Sequence, residues 1–243
     1  MPFDAIPVNS GCMLCPVQNC LSRRGDASQA AAFAAILEPR QAVMPEQGEL
    51  HRAGEALRSV YSVRGGCIKA YALDRDGKER IRGFYFAGDL IGLDALGDGL
   101  CLSSAAAVVP SQVCVAPLSD LRELMRRRPE IAQRMIEQTS RELALSLAWA
   151  GDFSAEQRLA AFLMYLRNRM NSGCVVRPPM GQREIGSYLR LATETVCRTL
   201  KALERSGSIA TDPRGIRILN EGALRAYAEP VGILEALQLP LAA

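Results

Sequence analysis

The sequence predicts an α+β chain in which an antiparallel β-roll is followed by a long helix and a C-terminal winged helix-turn-helix. Three observations carry this. Glycines punctuate residues 46 to 120 between short strand-like runs, a helical texture of about thirty residues follows Leu118, and a basic helix-turn-helix pattern runs from Gly181 to Ser208. With 243 residues, 49% of them hydrophobic and 23% charged, the composition is that of an ordinary globular protein with room for two cores. Met1 to Gly11 has neither a basic n-region nor an apolar h-region, so a cytoplasmic location is expected, where disulfides are disfavoured. The uncharged run Gly99 to Ser119 is divided by Ser103, Ser104, Pro110, Ser111, Gln112 and Pro117 into strand-sized pieces, and no membrane span is expected.

In chain order, Cys12, Cys15 and Cys20 come first, in the spacing Cys-x2-Cys-x4-Cys. The segment is too polar and short to be a core, and three thiolates so close repel one another unless a cation holds them. Metal ligation is the expectation. Phe33, Ile36 and Leu37 predict a short helix ending before Pro39. The roll follows, with strand-like runs Ser59 to Val63, Cys67 to Leu73 and Ile81 to Phe86, and a hairpin turn at Asp74 to Gly77. After Leu118, Ile131, Met135, Thr139, Glu142, Leu143, Ser146, Leu147 and Ala150 form a mixed seam near heptad spacing. A partner helix is the natural cover for it, so a twofold homodimer is expected. The expected organisation is 1–25 as a cysteine-rich metal-binding segment, 26–120 as the roll, 121–151 as the dimerisation helix and 152–243 as the winged helix-turn-helix.

Charge is distributed unevenly. Gly83 to Leu121 contains no Lys or Arg, whereas Gln157 to Arg217 carries eleven basic residues against four acidic ones, a net +7. That is the footprint of a module that meets a polyanion. Ile185 and Leu189 supply the buried face of the first helix, Gly186 gives a close helix crossing, and Leu191 lies in the turn. Thr193 reads as N-cap of the second helix, with Val196, Leu200 and Leu203 inward. Glu194, Cys197, Arg198 and Lys201 then face outward, the positions from which a recognition helix meets base edges in the major groove. Ile209, the Pro213-Arg214-Gly215 turn and Ile216 to Ile218 read as a wing. No aromatic stacking surface accompanies the basic residues, which favours double-stranded DNA over RNA.

The order of these parts resembles the CRP/FNR family of bacterial transcription regulators over nearly the whole chain, and the cysteines resemble its fumarate-nitrate reduction branch. Phe84-Tyr85-Phe86-Ala87-Gly88-Asp89-Leu90-Ile91-Gly92-Leu93-Asp94-Ala95 is similar to that branch's signature in a cyclic-nucleotide-binding-like roll. Ala155-Glu156-Gln157-Arg158-Leu159-Ala160-Ala161-Phe162 is similar to the start of its DNA-binding domain. The resemblance implies an oxygen-labile [4Fe-4S] cluster on Cys12, Cys15, Cys20 and Cys114, since Gln112-Val113-Cys114-Val115-Ala116-Pro117 is similar to the context of the distant ligand; Cys101 is the alternative. It also implies a dimer on a pseudo-palindromic site and RNA polymerase contacts from loops around Ile81 to Asp94. Two departures stand out. The x4 interval is one residue shorter than the branch's x5, and Glu194-Thr195-Val196-Cys197-Arg198 has cysteine where the family has serine.

Other functions leave a weaker trace. A cyclic nucleotide would need a cation beside the serines of Leu102-Ser103-Ser104-Ala105-Ala106, and none is there, so this ligand is not expected. No enzyme is expected either. The lone histidine, His51, lies in a polar stretch and reads as a surface residue, and Cys67 and Cys174 read as spectators. Four thiolates would also suit structural zinc, which leaves a zinc-stabilised or otherwise redox-responsive regulator as the alternative.

Overall fold

Eight short strands between Arg40 and Pro117 pair into two four-stranded antiparallel sheets in a computed structural model that describes residues 40–170 and 172–232. The predicted helix before Pro39 and the cysteines Cys12, Cys15 and Cys20 lie outside the described residues. One sheet has the order β1 (Arg40–Met44), β8 (Ser111–Pro117), β3 (Ser59–Gly65), β6 (Leu90–Ile91); the other runs β2 (Glu49–His51), β7 (Ser104–Ala107), β4 (Ile68–Leu73), β5 (Glu79–Tyr85). Ala42, Val63, Ile91 and Val113 from the first sheet meet Ile68, Ala105 and Ala107 from the second to make the core between them. The β4–β5 hairpin turns where expected. The Asp74 carboxylate accepts from the N–H groups of Asp76 (3.0 Å) and Lys78 (2.9 Å), an arrangement that short acidic side chains provide in turns.

The outer face of the first sheet is covered too. Val60, Leu90 and Leu93 pack with Leu121 and Leu124 of α1 (Leu118–Arg127) and with Ile131 and Met135 of α2 (Pro129–Ala150). Gln138 of α2 clasps the edge strand, accepting from Leu90 N–H (3.2 Å) and donating to Leu90 C=O (3.0 Å). The predicted single helix after Leu118 is therefore two. Arg128 sits at φ −135°, ψ 84°, because the ring of Pro129 excludes the helical region for the residue before it, and Pro129 then opens a new helix. The chain divides into two compact units, Met1–Ser140 and Arg141–Ala243, with the boundary inside α2.

The second unit is organised on α3 (Ala155–Arg169). Ser154 opens it with a capping box, accepting from Gln157 N–H (3.2 Å) while Gln157 Oε1 accepts from Ser154 N–H (2.9 Å). Leu159 through Leu166, an unbroken apolar run, are all buried, so this stretch of the helix is wrapped on every side. Around it follow β9 (Val175–Val176), α4 (Gln182–Leu189), α5 (Thr193–Arg205), β10 (Ile209–Asp212), β11 (Gly215–Ile218) and α6 (Glu221–Ala228), with the strands ordered β10-β11-β9. Gly215 has φ 133°, and a Cβ there would lie 2.6 Å from the Val176 carbonyl, so the wing turn and the β11–β9 approach both require glycine.

Candidate nucleic-acid interface and thiol site

The reading head is a helix pair locked at its turn. Leu191 N–H bonds to Gly186 C=O (2.8 Å), and a Cβ on Gly186 would approach Leu191 O to 2.8 Å, so the chain can double back only over glycine. Ile185 and Leu189 of α4 face Val196, Leu200 and Leu203 of α5, all five buried. Thr193 is the first helical residue and not the cap; Ala192 holds the cap position with no side-chain bond. The first-turn N–H groups of α5 thus have no capping side chain, the condition under which a helix start can take a phosphate oxygen.

Burying Val196, Leu200 and Leu203 turns the opposite face of α5 outward. Glu194, Arg198 and Lys201 are exposed on it, and Glu194 and Arg198 make no side-chain hydrogen bond or ion pair among the described residues. Cys197 is half-buried, its thiol donating to the Gln182 side-chain oxygen on α4 at 2.7 Å. The wing lies against the far end of the same helix. Glu204 accepts from Thr211 N–H (2.7 Å) and from the Thr211 hydroxyl, contacts that hold its carboxyl below the usual carboxylate range. The wing tip exposes Arg214, whose carbonyl accepts from Arg177 Nε (2.7 Å). The sequence pattern found the helices and the wing; the Glu204–Thr211 tie between them has no sequence signature.

Cys114 sits on β8 opposite Gln41 of β1 and Ser62 of β3. Its neighbour Val113 faces the core between the sheets, so Cys114 is on the outer face, yet it too is buried. Ser62 shares that face, is 5% exposed, and its hydroxyl has no hydrogen-bond partner among the described residues. Cys101 is placed differently, in a small cluster with Leu57 and Ala95, where burial first, and then the charges of Asp94 and Glu55, push its thiol up. Among the described residues no group of three or more His, Cys, Asp or Glu side chains is arranged to hold a metal. His51 corrects the sequence reading: it is partly buried beside Tyr61, and desolvation lowers its pKa. Cys67 is buried and Cys174 is exposed.

No helix among the described residues is long and apolar enough to cross a membrane. Residues 157–227 match the Crp-like helix-turn-helix domain, and residues 43–128 match the cyclic nucleotide-binding domain. The chain is 36% identical over 200 residues to the fumarate and nitrate reduction regulatory protein of Salmonella typhimurium, covering 79% of this chain and 80% of that one, and equally to its counterpart in Escherichia coli K12. Among solved structures, FixK2 from Bradyrhizobium japonicum superposes with a TM-score of 0.71 at 27% identity, covering 78% of this chain and 96% of that one. A CRP-family transcriptional regulator from Thermus thermophilus superposes at 0.64 with 22% identity, covering 77% and 96%. Taken with the exposed recognition helix, this places the chain in the CRP/FNR family of bacterial transcription regulators, DNA-binding proteins and not enzymes.

Proposed function

We propose that the chain is a homodimeric, oxygen-responsive regulator of anaerobic or microaerobic genes that binds a pseudo-palindromic DNA site while a [4Fe-4S] cluster is in place. Its curated relatives are named for fumarate and nitrate reduction, which supports an anaerobic regulon. The observation that carries the reading best is the surface of α2. From Ile136 to Ala150 the exposed residues are Ile136, Thr139, Ser140, Leu143, Ala144, Ser146, Leu147 and Ala150, and none is charged. Ile136, Leu143 and Leu147 are 66%, 60% and 65% exposed, at intervals of seven and four that line one helix face. Such a face is stable in water when a second copy covers it. The predicted seam thus splits: Ile131 and Met135 belong to the roll, while the later positions are left for a partner.

A dimer would bring two copies of α5 about one DNA turn, roughly 34 Å, apart. Arg198 could then pair with guanine, Glu194 accept from cytosine, Lys201 meet phosphate, and Cys197 present its sulfur to a base edge. Four thiolates, Cys12, Cys15, Cys20 and Cys114, would hold the cluster. The donor set suits it, and the Ser62 hydroxyl could donate to the sulfur of Cys114. Cys101 is the weaker fourth ligand, since its surroundings resist thiolate formation. When bound, the cluster supplies an electron-rich centre that oxygen attacks. The Arg82, Asp94, Asp98 and Leu100 side chains exposed around the β5–β7 loops are the proposed surface for RNA polymerase. No cyclic nucleotide is proposed: Ser104 Oγ already accepts from Ala53 N–H at 3.0 Å, and no cation lies beside it in the sequence.

The test is to purify the protein anaerobically and record absorption, iron content and DNA affinity before and after air. A brown protein with a broad band near roughly 400 nm that bleaches, together with loss of DNA binding, supports the reading. Equal DNA affinity in both states refutes the oxygen switch, and a colourless protein with bound zinc refutes the cluster.

A further inference from the structure

We infer that Arg158, with Trp149, is a positioning latch that fixes the reading head relative to the end of α2 and so sets the spacing between DNA half-sites; the inference rests on the dimeric reading above. Arg158 donates four hydrogen bonds, all to main-chain carbonyls. Its Nε bonds to Phe153 O (3.1 Å), Nη1 to Trp149 O (3.1 Å) and Leu189 O (3.2 Å), and Nη2 to Gly151 O (2.8 Å). These carbonyls come from three places: the last turn of α2, the corner that follows it, and the end of α4, the first helix of the reading pair. Carbonyls at a helix C-terminus have no intrahelical partner and carry the negative end of the helix dipole. One guanidinium therefore closes two helix ends at once and ties them to the start of α3.

A second tie crosses the same junction. Trp149, 4% exposed, donates its indole N–H to the Tyr188 hydroxyl oxygen at 2.8 Å, and the two rings meet edge to face at 5.6 Å. Phe162 of the buried helix α3 completes the cluster, 6.4 Å from the Trp149 ring and 5.7 Å from Tyr188. α2 residues 143 and 147 belong to the proposed dimer face, and Trp149 is in the next half-turn. The direction in which each α5 leaves the dimer axis is thus set within a few residues by this pair of contacts. Neither Arg158 nor Trp149 is on the outward face of α5, so neither has a base to read.

A lysine at 158 keeps the charge but loses the planar fork that reaches four carbonyls, and phenylalanine at 149 keeps the ring but loses the N–H. The experiment first selects bound duplexes from a random DNA pool with the wild-type dimer, then measures Arg158→Lys and Trp149→Phe against the selected half-site with the spacer changed one base pair at a time. Each base pair rotates one half-site against the other, so the wild type should favour one spacer by about tenfold or more. The expected result is that both variants sediment as dimers and keep the half-site base preference, while the spacer preference falls to about threefold or less. A spacer profile unchanged in both variants overturns the inference, as does a uniform loss at every spacer, which marks the pair as general stability elements. If the wild type selects no paired half-sites, the dimeric reading itself has failed, and this is seen before any variant is compared.

Discussion

Replacing Gly186 by alanine should destabilise the DNA-binding unit, although alanine is the better helix former. In isolation the exchange in a helix gains about 1 kcal/mol. Here the new methyl would lie 2.8 Å from the Leu191 carbonyl oxygen and 3.4 Å from Val196 Cγ2. The oxygen cannot retreat freely, because the N–H of the same residue is bonded to Gly186 O at 2.8 Å. Overpacking of this kind costs about 1–3 kcal/mol, and the overlap is with backbone and not with a yielding side-chain tip, so the upper half of that range applies. The net loss is about 1–2 kcal/mol, a fall of roughly 4–15 °C in melting temperature for a unit of this size. Gly222→Ala is the matched control. Its nearest neighbour would be Asn220 Oδ1 at 3.5 Å, so the same exchange should be neutral or gain up to about 1 kcal/mol. Thermal unfolding of both variants, with DNA affinity measured alongside, decides the matter. A Gly186→Ala protein that melts at or above the wild type would refute the steric argument.

Four other outcomes are expected. Leu147→Asp places a charge on the uncharged face of α2 and should shift sedimentation toward the monomer, with DNA affinity falling at least about tenfold because the two half-sites are no longer read together. Ser62→Ala should leave the metal-free fold intact and speed aerial bleaching several-fold, since a hydrogen bond to a ligating sulfur stabilises the reduced centre; an unchanged bleaching rate separates Ser62 from the thiol site. The Glu204 carboxyl is held low in the folded chain by Thr211. Its contribution is therefore complete above the ordinary carboxylate pKa, about 4.3, and disappears as pH falls below it, so the melting-temperature difference between wild type and Glu204→Gln should be constant above about pH 5.5 and shrink below about pH 4. Cys197→Ser strengthens the donor beside Gln182 and should alter base preference at one position of each half-site by roughly threefold to tenfold, readable in a competitive selection of DNA sequences.

Local sequence pattern was enough for much of this architecture. Glycine-spaced runs located β3, β4 and β5 because strands and turns are decided over a few residues, and the Asp74 to Gly77 turn needs only its own side chain to form. The helix-turn-helix was legible for the same reason: apolar positions at helical spacing, and a glycine where two backbones nearly touch. Where the pattern misled, a neighbour distant in sequence was responsible. His51 stands among polar residues yet is partly buried against Tyr61, ten positions away.

The sequence by itself determined the order of the described elements and the outward face of the recognition helix, since each depends on periodicity or on residue type alone. Tertiary structure decided which part of the α2 seam is left uncovered, that Ser62 stands beside Cys114, and that Arg158 gathers carbonyls from Trp149 to Leu189. Strand pairing and main-chain acceptors are not encoded at any fixed spacing. They exist only once the chain has folded and brought residues far apart in sequence to hydrogen-bonding distance.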